Sequence, residues 1–220
     1  MNNSLTNTAR LLGAGLRALL VLTLVTGVIY PLVITGVAQA LFNDKANGSE
    51  IKVDGKVVGS SLIGQSFNLP LKKGQETPDP DLKWFQGRPQ NGLGSNSVNT
   101  QYKLILSGAT NRSADNKELI QWVKDAKAAV IKDNSVNGYT VKDVPADAVT
   151  SSGSGLDPDI SPEYADIQVH RVAEKNGLAV DQVQKLVDDH TEGRTAGFIG
   201  EPRVNVLELN IALKDLAAKS

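Results

Sequence analysis

The sequence predicts a mixed α+β fold, in which an extracytoplasmic α/β domain is carried on a single N-terminal transmembrane helix. Three observations support this fold class. An uncharged apolar run occupies residues 18–42. The remaining residues, 43–220, are numerous enough to form one domain with a buried core. They also combine apolar side chains at helical spacing with short β-prone arms around turn residues.

The apolar run reads ALLVLTLVTGVIYPLVITGVAQALF and has the length of a membrane span. At about 1.5 Å per helical residue it crosses a hydrocarbon core of about 30 Å. The sequence Ala-Gln-Ala at residues 38–40 resembles a signal-peptidase site, but a signal peptide has an apolar core of only about 7 to 15 residues. A buried soluble helix is another alternative, although such a helix usually carries a polar face. Gly27, Pro31 and Gly36 are tolerated in a span and predict close packing against neighbouring helices.

The charges that flank the run predict its orientation. Arg10 and Arg17 precede it, and the first acidic residue is Asp44. Positive charge next to a span stays in the cytoplasm, so a single-pass protein with its C-terminal domain outside is expected. In a bacterium the membrane would be the inner membrane, and the domain would lie on its periplasmic or outer face. The predicted organisation has three parts: a short cytoplasmic N-terminus (1–17), a transmembrane helix (18–42) and a periplasmic or outer-face domain (43–220).

The outer domain shows local signals for one hairpin and several helices. Asp54-Gly55 between two β-prone arms predicts a tight hairpin. Amphipathic spacing predicts helices, and Asn176-Gly177 predicts the end of the second one. The region 70–101 is rich in turn residues and predicts long loops. The predicted helices are 117–133, 168–175, 179–190 and a last helix that begins near Pro202.

The usual patterns of catalytic and metal-binding chemistry are missing from the sequence. It contains neither the phosphate-binding loop G-x-x-x-x-G-K-[ST] nor the nucleophile elbow G-x-S-x-G. His190 and Glu192 are too few for a catalytic zinc, and Asp79 and Asp81 lack the spacing of a calcium loop. The net charge of −1 and the absence of a basic block argue against a nucleic-acid partner. We therefore predict no catalytic and no metal-binding residue.

The glycines and serines of the SGSGLDP stretch allow two interpretations. Successive backbone N–H groups around Gly153 and Gly155 could form a nest for an anion. A structured turn before a helix explains the same residues, with Ser161-Pro162 as a start signal. No lysine or arginine adjoins the glycines, so the turn is favoured.

Five motifs in a fixed order resemble the KdpC family, the C subunits of the Kdp potassium-transporting ATPase. These motifs are TGVIYPLVITGVAQALF, DGKVVGSSLIGQSF, WFQGRP, the stretch VPADAVTSSGSGLDPDISPEYADIQVHRVAEKNGL, and VQKLVDDHTEGRTAGFIGEPRVNVLELNIAL. The resemblance extends from about Thr26 to Leu213. Asp159 stands where the family commonly has histidine, and His170 stands where proline is common, so no side-chain role is carried over to either position.

The resemblance implies an accessory, non-catalytic subunit of an ATP-driven potassium uptake complex in a bacterial membrane. The implied partners are a channel-like potassium-selecting subunit that carries the ion, a P-type ATPase subunit, a small single-span subunit, and the lipid bilayer. ATP and magnesium are expected at the ATPase partner and not on this chain, which lacks the phosphorylation sequence D-K-T-G-T. The family is associated with complex assembly and with a raised ATP affinity of the ATPase subunit. An outer domain could exert that second effect only through the membrane subunits.

On this interpretation the outer domain caps the entrance of the potassium-selecting partner. Its turns are then partner contacts or fold-setting elements. The residues predicted for these turns are Trp84, Arg88, Pro89, Ser154, Gly155, Asp157, Pro158, Arg194, Glu201, Pro202 and Arg203.

Two other classes of protein remain open from the residues alone. A membrane-anchored hydrolase would need a nucleophile and base that the sequence does not offer in a recognised pattern. An anchored binding module for cell-wall or small-molecule ligands is kept open by Trp84-Phe85 and Trp122, although the low aromatic content argues against a sugar-stacking site.

Overall fold

The computed structural model describes residues 3–95 and 105–219. The chain divides into two compact units, Met1–Glu50 and Ile51–Ser220. The predicted loops of residues 70–101 are described only as far as residue 95, and the rest of that prediction lies outside the described residues, as do residues 1–2 of the predicted N-terminus.

The first unit consists of one long helical segment and a short turn of helix. Helix α1 (Asn3–Leu24) continues through a π-helical turn (Val25–Ile29) into α2 (Tyr30–Leu41), and α3 (Asn43–Ala46) follows. The stretch Ser4–Leu41 is long and apolar enough to cross a membrane. The helix begins well before residue 18, where the apolar run starts.

Proline explains the π-helical turn in the middle of the apolar segment. Pro31 has no backbone N–H, and its ring clashes with the preceding helical turn. The N–H of Tyr30 donates to the carbonyl of Val25, five residues earlier, instead of to the usual acceptor four residues earlier. The wider turn lets the helix continue across a residue that would otherwise break its hydrogen-bond ladder.

The second unit mixes short strands with four helices among the described residues, which confirms the predicted fold class. Its elements in chain order are β1 (Glu50–Val53), β2 (Lys56–Ser60), β3 (Gly94–Ser95), β4 (Ile105–Leu106), α4 (Lys117–Asn134), β5 (Asp159–Ile160), α5 (Pro162–Asn176), α6 (Val180–Asp189), β6 (Thr191–Glu192), β7 (Arg203–Asn205) and α7 (Val206–Ala217).

The strands form three small sheets. Strands β1 and β2 pair around the predicted turn, where Asp54 (φ 51°) and Gly55 (φ 75°) both adopt left-handed conformations. Strands β3 and β4 are antiparallel. The third sheet has the order β5-β7-β6, with Val204 of β7 opposite Ile160 on one side and Thr191 on the other.

The helices agree with the predicted periodicity, and α5 extends further than predicted. It starts at Pro162, because the Ser161 side chain accepts the N–H of Tyr164 and caps the helix. It ends at Gly177, whose φ of 66° is the left-handed conformation that glycine favours. The predicted helix start at Ser161-Pro162 is therefore confirmed, and strand β5 lies between it and the SGSGLDP stretch.

The start of the last helix was predicted incorrectly. Residues Arg203–Asn205 form strand β7, and α7 begins only at Val206. Val204 is completely buried between two strands, and the Asn205 side chain accepts the N–H of Glu208. Tertiary packing of Val204 and capping by Asn205 therefore place the start of the helix after one short strand.

Buried side chains of the four helices and of the third sheet form one core, which also receives Phe85 from the WFQGRP segment. The fully buried apolar residues include Phe85, Val169, Val172, Val183, Val187, Val204, Leu209 and Leu213. The site described next lies where the loops of residues 60–95 join this core.

Candidate functional site

The WFQGRP segment, residues 84–89, is bound to the core by two buried side-chain amides. Asn210 of α7 accepts the N–H of Phe85 at its Oδ1 (2.9 Å) and donates from its Nδ2 to the Phe85 carbonyl (2.9 Å). Gln168 of α5 accepts the N–H of Gln86 (2.7 Å) and donates to the Gln86 carbonyl (3.1 Å). Each amide acts as a neighbouring strand would, so an irregular segment keeps its backbone groups paired inside the protein.

A buried arginine, Arg171, also holds the WFQGRP segment against the core. Arg171 is only 1% exposed. It donates to the Oδ1 of Asn134 (2.8 Å) and to the Oε1 of Gln168 (2.6 Å). It also donates to the carbonyls of Leu82 and Trp84. All of these acceptors are neutral, and burial lowers the pKa of the guanidinium to about 10.

Arg88 connects the WFQGRP segment to the SGSGLDP turn. Its Nη1 lies 2.9 Å from the Oδ2 of Asp157, and both side chains are about three-quarters buried. Its Nε also donates to the carbonyl of Thr150 at 3.4 Å. Arg88 thus contacts the chain's own turn, and two predicted site residues that lie far apart in sequence meet here.

The hydroxyl groups of the SGSGLDP turn bind the turn's own backbone. The N–H of Gly155 donates to the Oγ of Ser152 (2.9 Å), and the N–H of Leu156 donates to the Oγ of Ser154 (3.1 Å). Two of the amides that an anion nest would direct at a ligand, those of Gly155 and Leu156, therefore have internal acceptors. This geometry agrees with a structured turn.

Glycines allow backbone segments to approach closely around this turn. A Cβ on Gly64 would lie 2.4 Å from the carbonyl oxygen of Asp157. Gly155 has a φ of 68°, and a Cβ there would lie 2.7 Å from the Cδ2 of Leu93. The N–H of Gly64 donates to the Leu156 carbonyl at 2.8 Å, a bond that this close approach makes possible.

A charged cluster ties the three strands of the β5-β7-β6 sheet together. Arg203 of β7 contacts Asp159 of β5 (3.2 Å) and Glu192 of β6 (2.6 Å). Burial raises the pKa of the Asp159 carboxyl, and Arg203 partly opposes that rise. These residues line a cavity of about 350 Å³ together with Asn205 and Glu208. The cluster contains the predicted residue Arg203.

The remaining predicted residues of the C-terminal motif form an exposed turn. Arg194 and Glu201 pair at 2.6 Å, and both are exposed. Between them a bridge joins Thr195 to Ile199, and Phe198 is 74% exposed. Pro202 is also exposed and leads into β7.

Trp84 and Pro89 differ in their surroundings. Trp84 packs against the core, and its ring lies 6.2 Å from that of Phe67. Pro89 lines a cavity of about 370 Å³ with Arg88 and Tyr164. Tyr164 is buried, which raises the pKa of its phenol to about 12.

The other two predicted turn residues also differ in exposure. Ser154 is exposed, and Pro158 is half-buried next to Asp159.

Gly27 and Gly36, the two glycines of the apolar run 18–42, are open to contact from outside the chain. A Cβ on Gly36 would meet no atom within 4 Å, and one on Gly27 would meet only the Thr23 side chain at 4.0 Å. Nine residues separate the two glycines, which is about half a turn beyond two full turns of helix. The two glycines therefore lie near opposite faces of the helix. Close packing at both of them would need two different neighbouring helices.

Sequence reasoning missed the buried polar residues that hold the site. The sequence pattern places Gln168 and Arg171 in a helix and indicates no role for them or for Asn210. A signal was available, because Tyr164, Gln168 and Arg171 recur at spacings of four and three along one helical face. Polar residues on a face that also carries Val172 indicate buried hydrogen bonds.

Comparison with known proteins places these motifs in a family. The model of the family described as "KdpC: K+-transporting ATPase, c chain" matches residues 12–215. The chain belongs to the KdpC family. Every site residue described above lies inside the part that this family's model matches.

Curated KdpC relatives are similar over almost their full length. The potassium-transporting ATPase KdpC subunit of Streptomyces avermitilis is 82% identical over 222 residues, which cover 100% of both chains. The subunit of the same name from Streptomyces coelicolor is 78% identical over 99% of this chain and 98% of its own. That of Caldanaerobacter subterraneus subsp. tengcongensis is 45% identical over 88% and 89%.

Proposed function

We propose that this chain is an accessory subunit of a high-affinity, ATP-driven potassium uptake complex. The observation that carries the proposal is the match of the KdpC family model to residues 12–215. Relatives named as potassium-transporting ATPase KdpC subunits, at up to 82% identity over the whole chain, support it. One helix that is long and apolar enough to span a membrane suits a subunit of a membrane complex.

The proposed topology has the N-terminus in the cytoplasm and the second unit outside the cell. Residues 1–43 contain two arginines and no acidic residue, whereas Asp44, Lys45 and Glu50 follow the apolar helix with mixed charge. Positive flanks stay on the cytoplasmic side. In a bacterium the membrane is the inner membrane, and the second unit faces the periplasm or the exterior.

The proposed role is structural and regulatory rather than catalytic. The polar groups at the motifs of the second unit are engaged in holding the fold: Arg88 binds Asp157, Ser152 and Ser154 bind backbone amides, and Arg171 binds neutral oxygens. Such a firmly held surface suits an outer domain that docks on the potassium-selecting partner, caps its entrance and stabilises the assembly. Potassium would pass through that partner, and a small single-span subunit would complete the complex.

The finer proposal concerns ATP, which with magnesium would bind the P-type ATPase partner. A second unit outside the cell cannot contact a cytoplasmic nucleotide. A rise in ATP affinity caused by this chain would therefore be a coupling free energy transmitted through membrane helices. A tenfold change in affinity corresponds to about 1.4 kcal/mol of such coupling.

Deletion and complementation in the native host test this function. Rubidium uptake by potassium-starved cells is measured without the chain, with the wild-type chain, and with a chain that lacks residues 3–41. We expect uptake to disappear on deletion and to return only with the wild-type chain. Equal uptake in all three strains would contradict the proposal.

The nucleotide effect needs a separate measurement on purified complex. The KM for ATP is compared between the complete complex and the same preparation stripped of this chain. A lower KM in the complete complex supports the coupling, and an unchanged KM leaves assembly as the role.

A further inference from the structure

The helical segment made of α1, the π-helical turn and α2 is longer than a membrane span requires. The continuous segment Ser4–Leu41 has 38 residues, whereas about 20 suffice for the hydrocarbon core. If the apolar run from residue 18 fills the core, Ser4–Arg17 continues the helix for about 20 Å beyond it. The headgroup region is only about 5 to 8 Å thick on each side, so this extension must lie along the membrane surface or project from it.

The extension has two unlike faces. Leu5, Leu12 and Leu16 follow each other at spacings of seven and four, which places them on one side of a helix. They are 76%, 69% and 57% exposed. Arg10 and Arg17 share another side, about 140° around the axis from Leu5 and Leu12 at 100° per residue. An apolar face with a basic face across from it is typical of a helix that lies in the membrane interface.

Nothing in the described chain neutralises the two arginines. Residues 1–43 contain no Asp or Glu. Within residues 3–95 and 105–219, neither guanidinium pairs with a carboxylate, and the Arg17 side chain makes only a local bond from its Nε to the Gly13 carbonyl at 3.3 Å. Seven residues of helix separate them by about 10 Å along the axis, so each would bind its own anion.

We propose that Arg10 and Arg17 bind the phosphate groups of anionic phospholipids, with the leucine face of Ser4–Arg17 turned toward the acyl chains. This inference goes beyond the proposed function and requires only that the apolar helix is in a membrane. A helix longer than the bilayer accommodates the excess length by tilting or kinking, and either change turns one side of the extension toward the bilayer. The leucines then leave water, while the arginine stems reach along the helix to the headgroups. A guanidinium matches a phosphate with two parallel hydrogen bonds.

An anionic lipid satisfies both faces at once, which an acidic protein surface does not. An acidic patch would neutralise the arginines and leave the three leucines in water. The extension is also covalently continuous with the span, so Arg17 is held at headgroup level, and Arg10, about 10 Å further along the helix, reaches the same phosphate layer when the extension lies along the surface. Each basic residue near an anionic surface contributes about 1 kcal/mol, so two residues can set a clear preference.

Native mass spectrometry of the full-length chain in neutral detergent tests the proposal. Phosphatidylglycerol and phosphatidylcholine with identical acyl chains are titrated separately, and the lipids retained by the chain are counted. We expect the wild type to prefer phosphatidylglycerol by about tenfold, and the preference to fall as ionic strength rises. The double variant Arg10→Gln/Arg17→Gln should bind both lipids equally.

Two further variants serve as controls. Lys45→Gln/Lys56→Gln removes the same amount of charge from residues that follow the apolar helix in the chain and should keep the preference. Arg10→Lys/Arg17→Lys keeps the charge and should keep most of it, whereas a loss caused by misfolding would not be restored by lysine. Helix content from circular dichroism confirms that the compared chains are folded.

Several results would overturn the inference. A wild-type chain without lipid preference, or a glutamine variant that retains the wild-type preference, contradicts it. A glutamine variant that retains the lipid preference but no longer recovers partner subunits would assign the arginines to a protein contact instead. Since lipid binding is measured on the chain alone, failure of the potassium-uptake proposal would leave this result unaffected.

Discussion

Asn210 pairs with both backbone groups of Phe85, a residue 125 positions earlier in the chain, at 2.9 Å for each hydrogen bond. The last helix of the protein thereby fixes the middle of the WFQGRP segment. Phe85 is completely buried beside it. The segment is therefore part of the folded core at Phe85, and this fixed position is the base from which the Arg88 side chain reaches Asp157.

Removing the Asn210 amide should destabilise the second unit strongly. Asn210→Ala leaves the N–H and carbonyl of Phe85 buried without partners, which costs about 2 to 4 kcal/mol of unfolding free energy. Both tryptophans, Trp84 and Trp122, lie in this unit, so fluorescence during urea unfolding of the full chain reports its stability. Asn91→Ala, at an exposed site, is the control and should change the stability by less than about 0.5 kcal/mol. Equal stabilities of the two variants would contradict the role of Asn210 in holding the Phe85 backbone.

The close approach at Gly64 predicts a strong effect of one methyl group. In Gly64→Ala the new Cβ would meet the Asp157 carbonyl oxygen at 2.4 Å, so the two backbone segments must separate. We expect a loss of about 2 to 3 kcal/mol in unfolding free energy. Gly153→Ala is the matched control, because a Cβ there meets no atom within 4 Å. A mild effect at Gly64 would mean that the turn is not held against residues 60–65.

The Arg88–Asp157 pair should couple two loops measurably. A double-mutant cycle of Arg88→Ala and Asp157→Ala is expected to give an interaction energy of about 1 kcal/mol, because the pair is hydrogen-bonded and largely buried. Arg194→Ala, which breaks an exposed pair, should change the stability by less than about 0.5 kcal/mol. We therefore expect Arg88→Ala to lower the stability of the second unit as well as the recovery of the complex. A cycle with no coupling would leave Arg88 as a partner contact only.

Asp159 predicts a specific pH dependence. Burial raises the pKa of its carboxyl in the folded state above the ordinary value, so the folded protein binds this proton more readily than the unfolded chain does. The stability contributed by the neutral carboxyl is present below the ordinary pKa and is lost as the pH rises through the raised folded pKa. Relative to Asp159→Asn, the wild type should therefore become more stable as the pH falls through this window. Urea unfolding of both proteins across the acidic range measures the difference, and parallel curves would contradict the burial effect.

Local signals in the sequence predicted much of the second unit. Its long-range contacts could not be predicted in this way. The hairpin at Asp54-Gly55, the α4 and α6 helices and the stop at Gly177 follow from spacing and from turn residues alone. Strands β5, β6 and β7 have two or three residues each, which is too short for an alternating pattern. These strands depend on pairing around Val204. The sequence wrongly predicted that Val204 lies near the start of the last helix.

The candidate site was predicted as motifs but not as an arrangement. The sequence singled out Arg88 and Asp157 separately, and only the fold shows that they bind each other. The sequence does not indicate the roles of the buried residues Gln168, Arg171 and Asn210. Gln168 and Asn210 bind backbone groups that lie more than 80 residues away in the chain. A sequence does not display which backbone segment a buried amide will meet.

The measurement that tests the central claim most directly is purification of the tagged chain in mild detergent from potassium-starved cells, with intact mass spectrometry of every recovered protein. We predict a full-length mass that includes residues 1–40, together with a P-type ATPase subunit and a channel-like subunit. A chain truncated after Ala40 and recovered alone from the soluble fraction would contradict both the anchor and the accessory function.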